Sequence, residues 1–159
     1  MKGDNNLLDT IIQAILNVGK GSLSSVYVMK EFNCTNIFLE FGKPQKWTNP
    51  LYVHHEIEMG SFAGNWRVLV DDQVVLASQD SLDEAEFDCQ LRAIRFGAIR
   101  GLVMLSSVDV RAVFEGGVQV DFVCCTQEDD VFHCFLPGNR VVVFNPIKGW
   151  REEKANKTL

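Results

Sequence analysis

Two hairpin-like stretches dominate the sequence. NWRVLVDDQVVLASQ, residues 65–79, has two apolar runs separated by Asp71-Asp72. DVFHCFLPGNRVVVFNP, residues 130–146, has the same layout around Pro137-Gly138. Short valine-rich runs divided by such turn residues predict β-hairpins. The chain therefore contains two similar hairpins, which raises the question of whether its halves are repeats.

A predicted helix precedes each run of strands. Residues 5–18 carry apolar side chains at helical spacing, with polar side chains on the opposite face. Residues 82–96 show a similar stripe, and Ser81 with Glu84 fits a capping box at the start of that helix.

The remaining apolar segments predict ten strands. They lie at 24–32, 35–42, 51–60, 65–70, 73–79, 101–107, 108–115, 118–126, 131–136 and 140–145. Residues 43–50, with two prolines, are predicted to be a loop. The pattern indicates an α+β fold, predominantly antiparallel β with two helices.

The order of these elements predicts two similar halves, each a helix followed by about five strands. Residues 5–80 and 81–146 would pack about a pseudo-twofold axis and bury their apolar faces together. A chance match of two hairpins is the alternative interpretation. We expect one domain over residues 1–150 and a flexible polar tail over 151–159.

Composition restricts the function. The chain has 159 residues, 47% of them hydrophobic, and a net charge of −6. An acidic chain argues against nucleic-acid binding, for which a basic face is typical. No apolar stretch reaches the length of a membrane span. The start has no secretory-signal pattern and the cysteine count is odd, so we expect a cytoplasmic protein with reduced, mostly buried thiols.

Catalytic and metal-binding motifs are not recognisable. The chain contains no phosphate loop, dinucleotide fingerprint, GxSxG or HExxH motif. His54 and His55 are adjacent, and neighbouring residues of a strand point to opposite faces. A nucleophilic pair of His133 with Cys124, Cys125 or Cys134 would lie in apolar strand segments, where thiols behave as small hydrophobes. We expect no enzyme activity, no cofactor and no metal.

Acidic side chains cluster around three loops, and we predict that they form a binding surface for a basic protein. A solvated acidic rim without a partner is the alternative. Trp47, in a polar loop, is a candidate aromatic anchor, because tryptophan is common at interface hot spots. The candidate partner-binding residues are Asp71, Asp72, Asp80, Asp83, Glu84, Glu128, Asp129, Asp130 and Trp47.

Two motifs carry a family resemblance. W-R-V-L-V-x-D-x-x-V-x-x-S at 66–78 and F-x-G-x-V-x-V at 114–120 resemble an uncharacterised bacterial family associated with toxin-immunity pairs. The chain looks like an immunity protein of the contact-dependent growth inhibition type, some of which are similar to the Whirly architecture. The basic stripe of a Whirly nucleic-acid binder is missing.

The resemblance implies a non-enzymatic protein. It would bind a cognate toxin domain, a nuclease, and cover its active site or substrate surface. Two other hypotheses stay open: a small-molecule-binding module with a pocket between the two halves, and an enzyme of unrecognised type. An exposed edge strand could also support a homodimer.

Overall fold

The computed structural model describes residues 4–31, 33–46, 53–61 and 65–155. Within these ranges the chain forms helices α1 (Asp4–Gly19) and α2 (Glu84–Ala93). The strands are β1 (Leu23–Glu31), β2 (Cys34–Lys46), β3 (Val53–Gly60), β4 (Trp66–Val70), β5 (Gln73–Ala77), β6 (Ile99–Met104), β7 (Val110–Phe114), β8 (Val118–Phe122), β9 (Phe132–Leu136), β10 (Arg140–Asn145) and β11 (Gly149–Lys154). Neither helix is long and apolar enough to cross a membrane.

The strands form two antiparallel sheets, which confirms the predicted α+β, mostly β fold. One sheet has the order β1-β2-β3-β9-β10-β11, and the other has the order β5-β4-β8-β7-β6. The two hairpins noted in the sequence are therefore exchanged. The β4–β5 hairpin joins the sheet of the second half, and the β9–β10 hairpin joins the sheet of the first half. A twofold axis relating the halves stays a prediction.

The inner faces of the two sheets form the core. The rings of Phe122 in one sheet and Phe132 in the other are 5.2 Å apart and meet edge to face. Trp66 is 2% exposed, as its place at the start of an apolar strand predicts. Its indole Nε1 donates a 2.7 Å hydrogen bond to the carbonyl oxygen of Thr35 and so links β4 to β2 across the sheets. The exchanged hairpins thus share one core.

Helix α2 is shorter than predicted and has a different cap. Asp83 is the N-cap residue, and its carboxylate accepts a hydrogen bond from the backbone N–H of Glu86. The predicted capping box of Ser81 with Glu84 is wrong, because Asp83 and Glu86 offer the same spacing two residues later. The helix ends at Ala93, and three residues later Phe96 is buried in the core, where its ring meets that of Phe114 edge to face.

Two polar segments are more ordered than predicted. Residues 151–154, expected to belong to a flexible tail, form the second part of β11. Trp150 holds that strand by packing 5.0 Å from the ring of Phe144, and Arg140 donates a 2.7 Å hydrogen bond to Glu152. Residues 43–46, expected to be loop, continue β2, and residues 47–50 lie outside the described residues.

Candidate functional site

The first acidic loop of the predicted surface is a tight turn. Asp71 and Asp72 connect β4 to β5 with positive φ values of 49° and 63°, a conformation that aspartate tolerates better than most residues. The backbone N–H of Asp71 bonds to the carbonyl oxygen of Gly117 at 3.0 Å. Both carboxylates are exposed at this end of the five-stranded sheet.

The second acidic group has structural roles in addition to its exposure. Asp80 accepts a hydrogen bond from the N–H of Ala77 at 2.8 Å, and Asp83 caps α2. Glu84 accepts from the N–H of Lys30 at 2.8 Å and ties the helix to β1. These carboxylates therefore stabilise the fold locally whether or not they meet a partner.

The third acidic group is partly neutralised. Arg151 donates to both carboxylate oxygens of Asp130, at 3.1 and 3.2 Å. Asp129 accepts a 2.9 Å bond from the hydroxyl of Thr126, and Glu128 is exposed. Trp47, the proposed anchor, lies outside the described residues.

The acidic loops do not lie at one end of the sheet. Asp71 sits beside Gly117 at the start of β8, whereas the chain leaving β8 at Val123 bonds to Asn65 at the other end. A strand of five residues spans about 17 Å. The Asp71-Asp72 turn and the connection that leads to residues 128–130 therefore start from opposite ends of β8.

An apolar patch adjoins the first acidic loop. Strand β5 is an edge of the five-stranded sheet, and Val74 and Val75 are 54% and 44% exposed. The register shifts here by one residue, so that Val68 pairs with Leu76 and Leu69 with Val74. This bulge breaks the alternation and leaves two consecutive valines at the surface. We call Asp71, Asp72, Val74, Val75 and Asp80 the β5 surface.

A carboxylate–imidazole cluster lies in the six-stranded sheet, and sequence reasoning missed it. Glu40 on β2 and Glu58 on β3 are direct cross-strand partners, and they are 1% and 7% exposed. The Nδ1 atom of His55 is 2.8 Å from Glu40 Oε2, and that of His54 is 2.8 Å from Glu58 Oε2. On β9, Nε2 of His133 is 3.8 Å from Glu58 Oε1.

A bulge in β2 accompanies this convergence of two adjacent histidines. The register shifts between Phe41 and Pro44, opposite Glu56. Gly42 has a φ of +85°, and the N–H of Lys43 donates to the Glu56 carboxylate at 2.8 Å. Bulges increase local twist and re-aim side chains. The Nδ1 atoms of His54 and His55 contact different carboxylates of the Glu40–Glu58 pair, and His54 is the histidine that lies within 4.8 Å of both.

The electrostatics of the cluster reflect its burial and its negative charge. Burial raises the pKa of Tyr27 on β1 well above its usual value, and the charges of Glu58 and Glu40 raise it further. For Glu58, burial acts to raise the pKa, but hydrogen bonds and charge from His133 and His54 outweigh it, and the pKa falls below its ordinary value. Tyr27 therefore stays protonated beside these two glutamates.

The thiols that could pair with His133 lie in different environments. Cys134 is fully buried among core side chains. Burial, followed by the charge of Asp109, raises the pKa of Cys124, which is the reverse of the lowered pKa of reactive thiols. Cys89 and Cys125 are exposed, so the prediction of mostly buried thiols is wrong.

A groove lies between the two halves of the chain. Its volume is about 630 Å³, and it is lined by residues 22–26 of the first half and by residues of the second half from Leu91 to Ala98, with Glu115. Ligand sites commonly have volumes of about 300–1,000 Å³, so the groove has room for a small molecule.

No protein family, curated protein or solved structure matches this chain.

Proposed function

We propose that this protein is a cytoplasmic, non-enzymatic immunity protein that binds a basic toxin domain, a nuclease, through the β5 surface. The observation that carries the proposal is the pair of exposed valines between two acidic turns. Binding sites typically have an apolar centre surrounded by a polar rim. On β5, Val74 and Val75 supply the centre, and Asp71, Asp72 and Asp80 supply the rim.

Charge favours a basic partner. The chain carries a net charge of −6, and opposite charge accelerates protein association. A nuclease binds phosphates with basic residues, so carboxylates at the rim can occupy the positions that phosphates take. Asp130 contributes less, because Arg151 of this chain already engages its carboxylate. Asp83 and Glu84 lie at the start of α2 rather than on the β5 surface.

The proposal expects a toxin domain to be encoded beside this gene, and the experiment measures binding to that product. Changing Asp71, Asp72 and Asp80 together to Asn should slow association about tenfold or more at low salt, with a small effect at high salt. Val75→Arg should accelerate dissociation about tenfold or more, because it places a cation at the apolar centre. Surface plasmon resonance separates the two rate constants.

A matched control is available on the opposite edge of the same sheet. Val103 on β6 is 46% exposed, and Val103→Arg should leave both rate constants unchanged. Equal effects at Val75 and Val103 would exclude β5 as the interface. A toxin that neither binds this protein nor is neutralised by it in cells would exclude immunity altogether.

A second copy of this chain is the competing occupant of the β5 surface, since edge strands can pair. Light scattering of the isolated protein tests it. A dimer that Val75→Arg dissociates would assign the surface to self-association, whereas a monomer leaves it open for a toxin.

The groove between the halves supports a second candidate function, small-molecule binding. Ser25, which lines it, offers a test by substitution. A metabolite that raises the melting temperature of the wild type but not of Ser25→Trp would favour this function. Binding that persists in the variant would place the ligand elsewhere.

A further inference from the structure

The carboxylate–imidazole cluster has an unusual charge arrangement. Glu40 and Glu58 face each other across two strands with side chains only 2% and 9% exposed. Like charges directly opposite each other destabilise a sheet, and a buried carboxylate requires compensating charge close by. The Nδ1 atoms of His55 and His54 lie 2.8 Å from Glu40 and Glu58, respectively.

The geometry of the cluster suits a metal ion. One carboxylate oxygen each from Glu40 and Glu58 and one ring nitrogen of His54 all lie within 4.8 Å of one another. Ligand atoms around a tetrahedral zinc ion are about 3.3 Å apart, given metal–ligand distances of about 2.0–2.2 Å. Side-chain movements of about an ångström would therefore close the three groups around an ion.

We propose that Glu40, His54 and Glu58 bind a divalent transition-metal ion, with zinc as the best-suited probe. Two carboxylates and one neutral imidazole cancel the charge of a divalent cation, which resolves the repulsion between Glu40 and Glu58. Mixed nitrogen and oxygen ligands are typical of zinc, manganese and iron sites. Three protein ligands leave a fourth position for water, as in catalytic rather than structural zinc sites.

Neighbouring groups would hold the ligands in place. Glu40 Oε2 accepts a 2.7 Å hydrogen bond from the backbone N–H of His55 as well as contacting its ring. Carboxylate ligands of metals are commonly oriented by such contacts. Tyr27, protonated beside both carboxylates, is a further donor on the neighbouring strand β1. His55 and Tyr27 are therefore positioning residues rather than ligands.

The ion has a route to the site. The side chain of His54 is 27% exposed, whereas those of Glu58 and Glu40 are 9% and 2% exposed. The three ligands thus lead from the surface into the sheet. An ion can first meet His54 and then move onto the carboxylates.

The test is a zinc titration of metal-free protein by calorimetry. Wild type should bind one zinc ion per chain, and excess zinc at about 100 times the dissociation constant should raise the melting temperature by about 5–10 °C. Glu58→Gln and His54→Ala should each weaken binding at least about 100-fold, because each removes a ligand. Circular dichroism before titration checks that both variants fold.

Glu56→Gln is the matched control. Glu56 lies on the same strand, but its carboxylate accepts the N–H of Lys43 in the bulge and is not one of the three ligands. This variant should bind zinc with the affinity of the wild type. If Glu56→Gln and Glu58→Gln weaken zinc binding equally, the effect is not specific to the proposed ligands and the assignment of the site is wrong.

The absorption spectrum of the cobalt-loaded protein tests whether thiols, rather than the proposed ligands, bind the metal. Cys89 and Cys125 are exposed thiols, and cobalt bound to thiolates absorbs strongly by charge transfer, whereas nitrogen and oxygen ligands do not. The proposal expects no such band. A thiolate band, zinc affinity retained in Glu58→Gln, or no binding by wild type would each overturn it. The last result would mean that the hydrogen bonds of the cluster hold the two carboxylates without an ion.

Discussion

The side chain of Asp121 should stabilise the five-stranded sheet more than either arginine that binds it. Asp121, on β8, is 0% exposed and pairs with Arg67 on β4 and with Arg111 on β7. It accepts hydrogen bonds from Nε of Arg67 at 2.7 Å and from Nε and Nη2 of Arg111 at 2.6 and 2.9 Å. The hydrogen bond to Asp121 raises the pKa of Arg111. One carboxylate thus connects three strands.

Asp121→Asn keeps the shape of the side chain but removes its charge and turns one acceptor into a donor. Hydrogen bonds to charged groups are worth about 1.5–3 kcal/mol each. The loss is partly offset, because the amide oxygen still accepts and Arg67, 43% exposed, is rehydrated. We expect Asp121→Asn to lower the free energy of unfolding by about 3 kcal/mol. Arg111→Gln should cost about 2 kcal/mol, since Arg111 is 18% exposed, and Arg67→Gln about 1 kcal/mol.

Urea denaturation measures these losses as shifts of the midpoint at a constant slope. The Asp121 variant should also melt about 6–12 °C below wild type. Glu31→Gln, a change of the same kind at an exposed position, is the control and should stay within about 0.5 kcal/mol. A loss of unfolding free energy below about 1 kcal/mol for Asp121→Asn, or one equal to that of Arg67→Gln, would contradict this prediction.

Three further predictions concern stability. Trp66→Phe should lower the free energy of unfolding in urea by about 1–2 kcal/mol, because it removes the 2.7 Å hydrogen bond from the indole to Thr35 that links the sheets. An unchanged free energy would mean that this hydrogen bond adds no stability. Gly117→Ala should cost about 1–2 kcal/mol in the same assay, since its φ is +71°; unchanged stability would show that the turn rearranges. Asp83→Ala should cost about 1 kcal/mol and Ser81→Ala almost nothing, which distinguishes the observed N-cap from the one predicted.

The sequence was sufficient to locate most elements, because their signals are local. In VDVRAVF, residues 108–114, the polar Asp109 and Arg111 alternate with apolar residues and predict β7. The burial of Val110, Ala112 and Phe114 follows that alternation. Every predicted strand overlaps an observed one. Element ends were less predictable: two overlapping capping patterns begin at Ser81 and Asp83, and local spacing does not distinguish them.

The carboxylate–imidazole cluster could not be predicted from any single segment, because it depends on which strands pair. In TNIFLEFG, alternation places Glu40 on the face opposite Ile37 and Leu39, which would ordinarily be a solvated face. Its burial beside Glu58 follows from the pairing of β2 with β3 and from the elements around them. The contact of His55 with Glu40 likewise depends on the pairing of β2 with β3, which the adjacent letters HH do not encode.

The fold class, the two helices and the paired hairpins follow from the sequence alone, since turn residues and the period of apolar side chains act over a few positions. Only the folded chain shows that each hairpin joins the sheet of the other half, and that two glutamates and three histidines come together. It also shows that the polar end of the chain pairs with the neighbouring strand β10 as β11. The exchange of the hairpins and the glutamate–histidine cluster depend on contacts between residues far apart in the chain. Such contacts are selected by the burial of whole faces, and a local pattern of side chains does not encode which faces meet.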